Sequence, residues 1–205
     1  MSEIGAVILA AGRSARFRAE GGREISKLVA LLDGKPLARH AAEAALASRA
    51  RPVVVVTGFA RGAVEAALAG LPLAFVDNPD FASGMASSLK AGVAALPADV
   101  AGALIVLGDM PRIAAATLDR LIEAFAARSD ALAAAPVHAG RRGNPVLLSR
   151  ALFPTLARLD GEEGARRLIG EADPRGVVEV QVESDGVTFD IDTPVELAAA
   201  RGLRG

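Results

Sequence analysis

Cysteine, tryptophan and tyrosine are absent from the 205 residues of the chain. Without cysteine there can be no disulfide framework, no thiolate metal site and no cysteine nucleophile. Only 3% of the residues are aromatic, and the formal net charge is −1, with lysine and arginine scattered along the chain rather than gathered in one block. Nucleic-acid-binding proteins carry a basic footprint that this chain lacks, so we expect small-molecule partners and no nucleic acid.

The start of the chain also lacks the features of a targeting or membrane segment. Residues 1–10 have no basic beginning, and their apolar run is far too short to cross a bilayer. We therefore expect a protein without a membrane partner that resides in the cytoplasm.

Small and apolar residues are abundant instead. Hydrophobic residues make up 52% of the chain, which is rich in alanine and contains 21 glycines and 11 prolines. Such a composition suits helices packed closely on a sheet. Short apolar runs alternate with stretches of helical periodicity along the whole chain, as is typical of parallel β-α-β units. We predict one α/β domain over residues 1–205.

The apolar patterns predict individual elements as well. Strands are expected at 6–10, 53–56, 73–76, 103–107, 131–135, 146–148 and 177–182, and helices at 36–46, 61–68, 85–95 and around 118–125. A loop should run from Gly12 to about Lys27, and Met85 is expected in the core. Thr193 should cap a final helix that has Pro194 in its first turn.

The first constellation with chemical character follows the first predicted strand. Small residues there allow backbone amides to approach phosphate oxygens, and nearby cations can neutralise phosphate charge. An ordinary turn with solvated arginines fits the same pattern equally well. The stretch comprises Leu9, Ala10, Ala11, Gly12, Arg13, Ser14 and Arg16, with Lys27 further along. The glycine fingerprints of dinucleotide-binding folds and of P-loop proteins are both absent, which argues against those two classes.

Carboxylates form the second constellation. Asp109 follows a predicted buried strand, at the edge where open α/β sheets bind ligands. Alone it fits a loop-capping aspartate better, because aspartate is common in turns. Asp190 and Asp192, at the end of the last strand, shift the preference from a loop-capping aspartate toward a metal ligand. Carboxylates that converge beside a phosphate loop suit Mg²⁺, which prefers oxygen ligands and substrate phosphates.

Taken in order, these motifs resemble a known family over almost the whole chain. The chain is similar to the molybdopterin nucleotidyltransferases, and to their cytidylyl branch rather than the guanylyl branch. The motifs are Leu9-Ala10-Ala11-Gly12-x-Ser14-x-Arg16, Lys27-Leu28, Gly34-Lys35-Pro36-Leu37, Val56-Thr57-Gly58, Asn78-Pro79, Gly84-Met85-x-x-Ser88, Gly108-Asp109-Met110-Pro111, Gly143-Asn144-Pro145-Val146 and Asp190-x-Asp192-Thr193-Pro194.

The resemblance implies a fold, a reaction and a set of site residues. The fold would be a Rossmann-like three-layer α/β/α domain with a mostly parallel sheet, of the nucleotide-diphospho-sugar transferase type. The reaction would transfer CMP from CTP to the phosphate of molybdopterin or the molybdenum cofactor, with release of pyrophosphate. A molybdoenzyme or its chaperone would be a further partner.

The implied residues fall into four groups. Arg16, Lys27, Asp109 and Asp192 would be catalytic, and Asp109 and Asp192 would hold Mg²⁺ with Asp190 in support. The nucleotide would contact Leu9, Ala10, Ala11, Gly12, Arg13, Ser14, Arg16, Lys27, Thr57, Gly58, Asn78, Gly84, Ser88 and Asp109. The acceptor would contact Arg142, Gly143, Asn144 and Pro145.

Two alternatives to this reading remain at the level of sequence. One is a related nucleotidyltransferase that uses GTP or a sugar- or polyol-phosphate acceptor, because one fold serves several reactions. The other is a nucleotide-binding regulator without turnover, against which the presence of Lys27, Asp109 and Asp192 together argues.

The sequence departs from the family pattern at Arg18, where glycine is usual, and in the long charged stretch from Ala19 to Ser26.

Overall fold

The computed structural model describes residues 3–202. Its strands are β1 (Ile4–Ala10), β2 (Leu31–Leu32), β3 (Lys35–Pro36), β4 (Val53–Thr57), β5 (Ala74–Asp77), β6 (Gly102–Leu107), β7 (Ala133–His138), β8 (Arg141–Arg142), β9 (Val146–Ser149) and β10 (Val177–Gln181). Its α-helices are α1 (Ala15–Ala19), α2 (Leu37–Ala47), α3 (Arg61–Ala67), α4 (Met85–Ala94), α5 (Ala115–Ala126), α6 (Phe153–Leu156), α7 (Ala165–Glu171) and α8 (Pro194–Gly202).

One mixed sheet organises these elements, with the strand order β10-β7-β9-β6-β1-β4-β5 and with β8 paired to β7. Strand β1 lies parallel to both β4 and β6, and β4 lies parallel to β5. Strand β9 runs antiparallel between β6 and β7, and β10 is parallel to β7. The chain leaves β1 in one direction along the sheet and returns to its other side through β6, so the carboxyl ends of these two strands border the crevice where such sheets bind ligands.

Alternate residues of each central strand face opposite layers of helices. Ile8 and Val55 point into a core that also contains buried residues of α2, α3 and α5. Val7 and Val54 point into a second core, shared with α4, α6 and α7. Both faces of the sheet are therefore covered, which explains why its central strands are continuous apolar runs. The predicted three-layer arrangement is confirmed.

A third, smaller core joins the two ends of the chain. Phe17 of α1, Leu37 of α2 and Leu197 of α8 pack there around Ile191, which is fully buried. The backbone amide of Ile191 also donates to the carbonyl oxygen of Asp109 at 3.1 Å. This packing holds the segment before α8 against the loop that follows β6.

The predicted strands and helices are present, with ends displaced by a few residues, but three local expectations are wrong. The stretch after Gly12 is not all loop, because residues Ala15–Ala19 form α1 and Phe17 in this helix is buried. Asp190 and Asp192 do not end a strand, since β10 stops at Gln181 and a 3-10 turn, Asp185–Thr188, intervenes. Met85 is 37% exposed rather than in the core.

Thr193 and Pro194 occupy the predicted positions at the start of α8. The Thr193 hydroxyl accepts a hydrogen bond from the amide of Glu196 at 3.2 Å. The Glu196 carboxylate in turn accepts from the amides of Asp192 and Thr193, at 2.8 and 2.9 Å. This reciprocal capping box fixes the backbone at Asp192. Across residues 3–202, no helix has both the length and the apolar character needed to cross a membrane.

Candidate active site

A cavity of about 630 Å³ opens beside the carboxyl ends of β1 and β6. Small-molecule sites typically occupy ~300–1,000 Å³, so a nucleotide-sized ligand fits. Its wall includes many of the residues predicted from the sequence. These are Leu9, Ala11, Gly12, Arg13, Ser14, Arg16, Lys27, Gly84, Ser88, Asp109 and Asp192. Ala10, also predicted, is instead buried in the core behind the wall.

The loop after β1 is held in shape by two serines. Ser14 adopts a left-handed backbone conformation with φ 52°, and its hydroxyl accepts a hydrogen bond from the amide of Lys27 at 3.1 Å. The Ser14 and Ser26 hydroxyls lie 3.1 Å apart, and Ser26 is fully buried. The loop is thereby clamped to the residue that precedes Lys27. Arg13 and Arg16 remain exposed at the rim, where they can meet anionic groups.

Lys27 joins the two aspartates that the sequence places far apart. Its Nζ lies 2.6 Å from Oδ2 of Asp109 and 2.5 Å from Oδ1 of Asp192. The other oxygen of Asp192 accepts from Arg16 at 2.6 Å. The Lys27 side chain is only 13% exposed. Two cations and two carboxylates thus form one network on the cavity floor, which favours the predicted grouping of Arg16, Lys27, Asp109 and Asp192.

This network favours the charged forms of Lys27 and Asp192. Burial by itself lowers the pKa of Lys27, but the charges and hydrogen bonds of Asp109 and Asp192 outweigh it and raise the pKa above its ordinary value. Burial acts to raise the pKa of Asp192, whereas the hydrogen bond and charge of Lys27 and the charge of Arg16 lower it overall. At neutral pH the site therefore contains an ammonium group beside an ionised carboxylate.

One oxygen of the network has no partner. Oδ1 of Asp109 is buried and accepts no hydrogen bond. A buried carboxylate oxygen without a donor is costly, and a hard cation would satisfy it. Burial, followed by the charges of Asp109 and Asp192, raises the pKa of Asp190, which places that carboxyl in the same electrostatic environment.

The three aspartates do not by themselves form a complete metal site. Among residues 3–202, no group of three His, Cys, Asp or Glu side chains lies close enough together to hold a metal ion. Asp109 and Asp192 form the nearer pair, because both touch Lys27. Protein sites for Mg²⁺ commonly use one or two carboxylates and take their remaining ligands from water and substrate phosphates. The residues present fit a cation of that kind.

One side of the cavity is walled by Phe81 and Ala11, which approach each other at Gly58. A Cβ atom on Gly58 would lie 2.7 Å from the Cβ of Phe81 and 3.0 Å from that of Ala11. The amide of Phe59 also donates to the carbonyl oxygen of Ala11 at 3.2 Å. Gly58 therefore acts through close packing and not through contact with the cavity.

Thr57 and Asn78, predicted to contact the nucleotide, are directed into the protein. Thr57 is fully buried, and its hydroxyl donates to the carbonyl oxygen of Val76 at 3.3 Å. The Asn78 amide donates to the hydroxyls of Ser87 and Ser88 at 2.9 and 3.0 Å. Of this group, only Ser88 reaches the cavity wall. The geometry favours supporting roles for Thr57 and Asn78, because their polar groups are already satisfied.

A second cavity, of about 310 Å³, adjoins the first and shares Leu9, Met85, Leu107 and Glu162 with it. It also contains Asn144 and Asp190. Its other lining residues include Met110, Arg166, Val187 and Thr188.

Among the residues predicted to contact the acceptor, Asn144 alone lines the second cavity. Arg142 points elsewhere and pairs with Glu179 at 2.6 Å. Gly143 packs against Val187, whose carbonyl oxygen would lie 2.2 Å from a Cβ atom at that position. Pro145 is buried beside it. The direct-contact prediction for Arg142, Gly143 and Pro145 is not matched by their positions, because the chain turns away from the cavity on both sides of Asn144.

Several residues of the site were missed from the sequence. Ser26 clamps the first loop, Phe81 walls the first cavity, and Glu162 and Arg166 line the second. A serine directly before Lys27 was the one available signal. The charged residues of α7 all look alike in the sequence, since helical surfaces are commonly charged.

The departure at Arg18 has a structural explanation. The Arg18 guanidinium lies over the ring of Phe59, 4.8 Å from its centroid. This cation–π contact joins α1 to the loop after β4. Gly22 then brings the chain back against Phe17, because a Cβ atom there would lie 2.2 Å from the Phe17 ring. The longer stretch is therefore packed on α1 and leaves the cavity open.

Comparison with known proteins places this chain in a family. The model of the MobA-like NTP transferase domain matches residues 6–176. The chain is 27% identical to the molybdenum cofactor cytidylyltransferase of Escherichia coli (strain K12), over 73% of each chain. It is 34% identical to the bifunctional protein GlmU of Leifsonia xyli subsp. xyli over 80% of its own length, but it covers only 34% of that longer relative.

Solved structures agree with the sequence comparison. The crystal structure of Rv0371c from Mycobacterium tuberculosis H37Rv superimposes with a TM-score of 0.83 at 28% identity and covers 98% of both chains. A complex of the same protein with manganese gives a TM-score of 0.78 at 26% identity, over 98% of this chain and 99% of that one. The predicted type of fold is confirmed by this similarity.

Proposed function

Since the chain belongs to the MobA-like NTP transferase domain family, we propose that it transfers CMP from CTP to the phosphate of molybdopterin or the molybdenum cofactor and releases pyrophosphate. Family membership makes it a nucleotidyltransferase. The choice of CTP and of a pterin acceptor is supported by the resemblance to the cytidylyl branch and by the similarity to the E. coli cytidylyltransferase.

The observation that carries the proposal is the network of Lys27 with Asp109 and Asp192. These three side chains meet beneath the loop of Gly12, Arg13 and Ser14, in a cavity of nucleotide size. A triphosphate bound by the loop would lie beside Lys27 and Arg16. Cations placed where phosphate charge redistributes stabilise the transition state of phosphoryl and nucleotidyl transfer.

We propose Mg²⁺ as the metal of the reaction, held by Asp109 and Asp192 with Asp190 nearby. The unpartnered Oδ1 of Asp109 supports this assignment, as does the manganese complex of Rv0371c. When bound, such an ion neutralises phosphate charge and orients the phosphate oxygens. Ions of this size prefer oxygen ligands, which carboxylates and phosphates supply.

The protein's own residues would position the two reactants. An oxygen of the acceptor phosphate forms a bond to the α-phosphorus of CTP, and the bond from that phosphorus to the bridging oxygen of the β-phosphate breaks. Pyrophosphate leaves with the electron pair of that bond. The nucleophilic phosphate is already ionised, so no protein side chain has to remove a proton. Lys27 and Arg16 would lower the barrier by stabilising charge and by fixing the reactants in line.

The adjoining second cavity suits the acceptor. It opens into the first through their shared residues, and Asn144 lies on its wall. An acceptor bound there would present its phosphate toward Asp109 and the nucleotide. The product would then pass to a molybdoenzyme or its chaperone, which we propose as the protein partner.

Pyrophosphate release measured with CTP, Mg²⁺ and molybdopterin tests this function. We expect release that requires all three components and that yields the cytosine dinucleotide form of the cofactor, identified by mass spectrometry. Turnover with a sugar phosphate or polyol phosphate but not with molybdopterin would overturn the acceptor assignment. Nucleotide binding without turnover on any acceptor would instead identify a regulator.

A further inference from the structure

The second cavity contains an arginine without an ion pair. Arg166 lies near the start of α7 and lines this cavity. Within residues 3–202 its side chain makes neither a hydrogen bond nor an ion pair. The next residue, Arg167, is paired with Glu163, which precedes α7, and with Glu171 of α7 itself. Two adjacent arginines therefore differ in that one is neutralised and the other is free to bind a ligand.

The packing of α7 fixes the position of Arg166. Ala165, Leu168 and Ile169 are buried in the second core, at the spacing of one helical face. A helix anchored along that face keeps Arg166 at the margin of the cavity and directs Arg167 outward.

The chain before α7 packs against Gly84. A Cβ atom on Gly84 would lie 2.2 Å from the carbonyl group of Gly161. The amide of Ala86 donates to that same carbonyl at 3.0 Å. The segment that carries Arg166 is therefore packed against and hydrogen-bonded to the start of α4. Gly84 and Met85 at that point line the first cavity.

The junction of the two cavities is lined by carboxylates, so an anionic ligand in the second cavity would need a cationic side chain there. Asp190 lines the second cavity, Asp109 lines the first, and Glu162 lines both. A phosphate dianion that entered the second cavity would be repelled by these carboxylates unless a positive group met it.

We propose that Arg166 binds the phosphate of the acceptor, with the side chain of Asn144 as a second donor, and so selects acceptors that carry a phosphate monoester. This inference rests on the proposed nucleotidyl transfer and adds the residue that recognises the acceptor. A guanidinium group offers two parallel donors that match phosphate oxygens. The Asn144 side chain also makes no hydrogen bond within residues 3–202 and can donate through its amide.

Steady-state kinetics of Arg166→Ala, Arg166→Lys and the control Arg167→Ala test the proposal. We expect Arg166→Ala to raise KM for the acceptor on the order of 10- to 100-fold, the usual effect of removing a charge-assisted hydrogen bond to phosphate. KM for CTP should change less than about twofold, because Arg166 does not line the first cavity. Arg166→Lys should lie between the wild type and the alanine variant, since lysine retains the charge but not the paired donors.

The control separates a role in binding from a role in structure. Arg167→Ala removes a neighbouring arginine with its two ion pairs and should leave both KM values unchanged. Unfolding midpoints of all three variants establish that the comparison is between folded proteins. An unchanged acceptor KM in Arg166→Ala would overturn the inference, and so would an equal rise in the KM values for acceptor and CTP.

A failure of the proposed function is recognised separately. If the wild type releases no pyrophosphate with molybdopterin, the acceptor assignment fails, and binding of inorganic phosphate to the CTP-saturated protein then tests Arg166. Weaker phosphate binding by Arg166→Ala than by the wild type and Arg167→Ala supports the inference. Equal binding by all three proteins overturns it.

Discussion

At the scale of single residues, Lys27 and its two aspartates carry the chemistry that we propose for the first cavity. Neither aspartate is needed to fill a core, because Asp109 and Asp192 are partly exposed and their contacts are ionic. Yet the two carboxylates are the groups best placed to hold a divalent cation. Function and stability can therefore be separated by substitution at these positions.

We expect Asp109→Ala and Asp192→Ala each to lower kcat on the order of a hundredfold or more, because each removes a charged ligand of the proposed metal, and such an ion stabilises the transition state by several kcal/mol. Both variants should stay folded, since Lys27 keeps one carboxylate partner in each. Asp185→Ala, which removes an exposed carboxylate paired with Arg112 at 3.3 Å, serves as the control. Near-normal turnover of both cavity variants would refute the metal assignment.

Asp190 leads to a prediction about how the stability of the protein depends on pH. Burial and the charges of Asp109 and Asp192 raise its pKa in the folded protein above the ordinary value of 3.8. The folded state therefore binds this proton more tightly than the unfolded state does. Ionisation of Asp190 costs stability, and that cost appears as the pH rises from below 3.8 through the folded pKa.

Asp190→Asn should accordingly be more stable than the wild type at pH 7 in metal-free buffer. The difference should shrink as the pH falls through the folded pKa of Asp190 toward 3.8. Urea unfolding of both proteins at a series of pH values measures the effect. A variant that is destabilised equally at every pH would show that Asp190 has a structural role that asparagine cannot fill.

At the scale of elements, the contact between the start of α4 and the segment before α7 joins the two cavities. Gly84 has φ +111°, in a region that side chains rarely adopt, and it touches the Gly161 backbone. Met85 follows directly and lines both cavities. The same contact therefore shapes the proposed nucleotide and acceptor sites.

Gly84→Ala should destabilise the protein by about 1–3 kcal/mol, because the added methyl group overlaps the Gly161 carbonyl and the backbone is strained. The displacement of α7 should also raise KM for the acceptor. Gly170→Ala is the matched control, since its methyl group meets open space within α7 and should stabilise that helix by up to about 1 kcal/mol. Urea midpoints that are equal for Gly84→Ala and the wild type would contradict the packing argument.

At the scale of the whole molecule, the two ends of the chain build one site. Asp192 lies 165 residues beyond Lys27, with which it forms a hydrogen bond. The buried Ile191 and the capping box of α8 hold it there. The first cavity is consequently enclosed by elements from both halves of the chain, so its shape is a property of the assembled fold.

The shape of the first cavity leads to a prediction about which nucleotide base the protein accepts. Phe81 and Ala11 both line the first cavity and pack closely together at Gly58. A purine is larger than a pyrimidine, and in the cytosine site that we propose, guanine would also leave polar groups unpaired. Each unpaired buried group costs about 1–3 kcal/mol, so kcat/KM should favour CTP over GTP on the order of a hundredfold or more.

The measurement compares kcat/KM for CTP and GTP with molybdopterin as acceptor and saturating Mg²⁺. Equal values, or a preference for GTP, would overturn the cytidylyl assignment and leave nucleotidyl transfer standing. Gly62→Ala, at a position in α3 where the added methyl group meets open space, should leave the ratio unchanged.

The secondary-structure elements and most of the candidate residues could be predicted from the sequence. Apolar runs such as Val53–Thr57 and the helical stripe of α5 identify strands and helices, because burial imposes a period on the chain. The motifs around Gly12 and Asp109 likewise point to phosphate chemistry at strand ends. These signals are local, and local physics suffices to detect them.

Which of those residues lie together in space could be seen only in the folded protein. It directed Thr57 and Asn78 inward, where neighbouring polar groups satisfy them, and turned Arg142 toward Glu179. It also brought Asp192 to Lys27 and placed Arg166, unlike Arg167, on a cavity wall. Side-chain direction depends on packing between elements distant in the chain, and the sequence pattern of a single element does not contain that information.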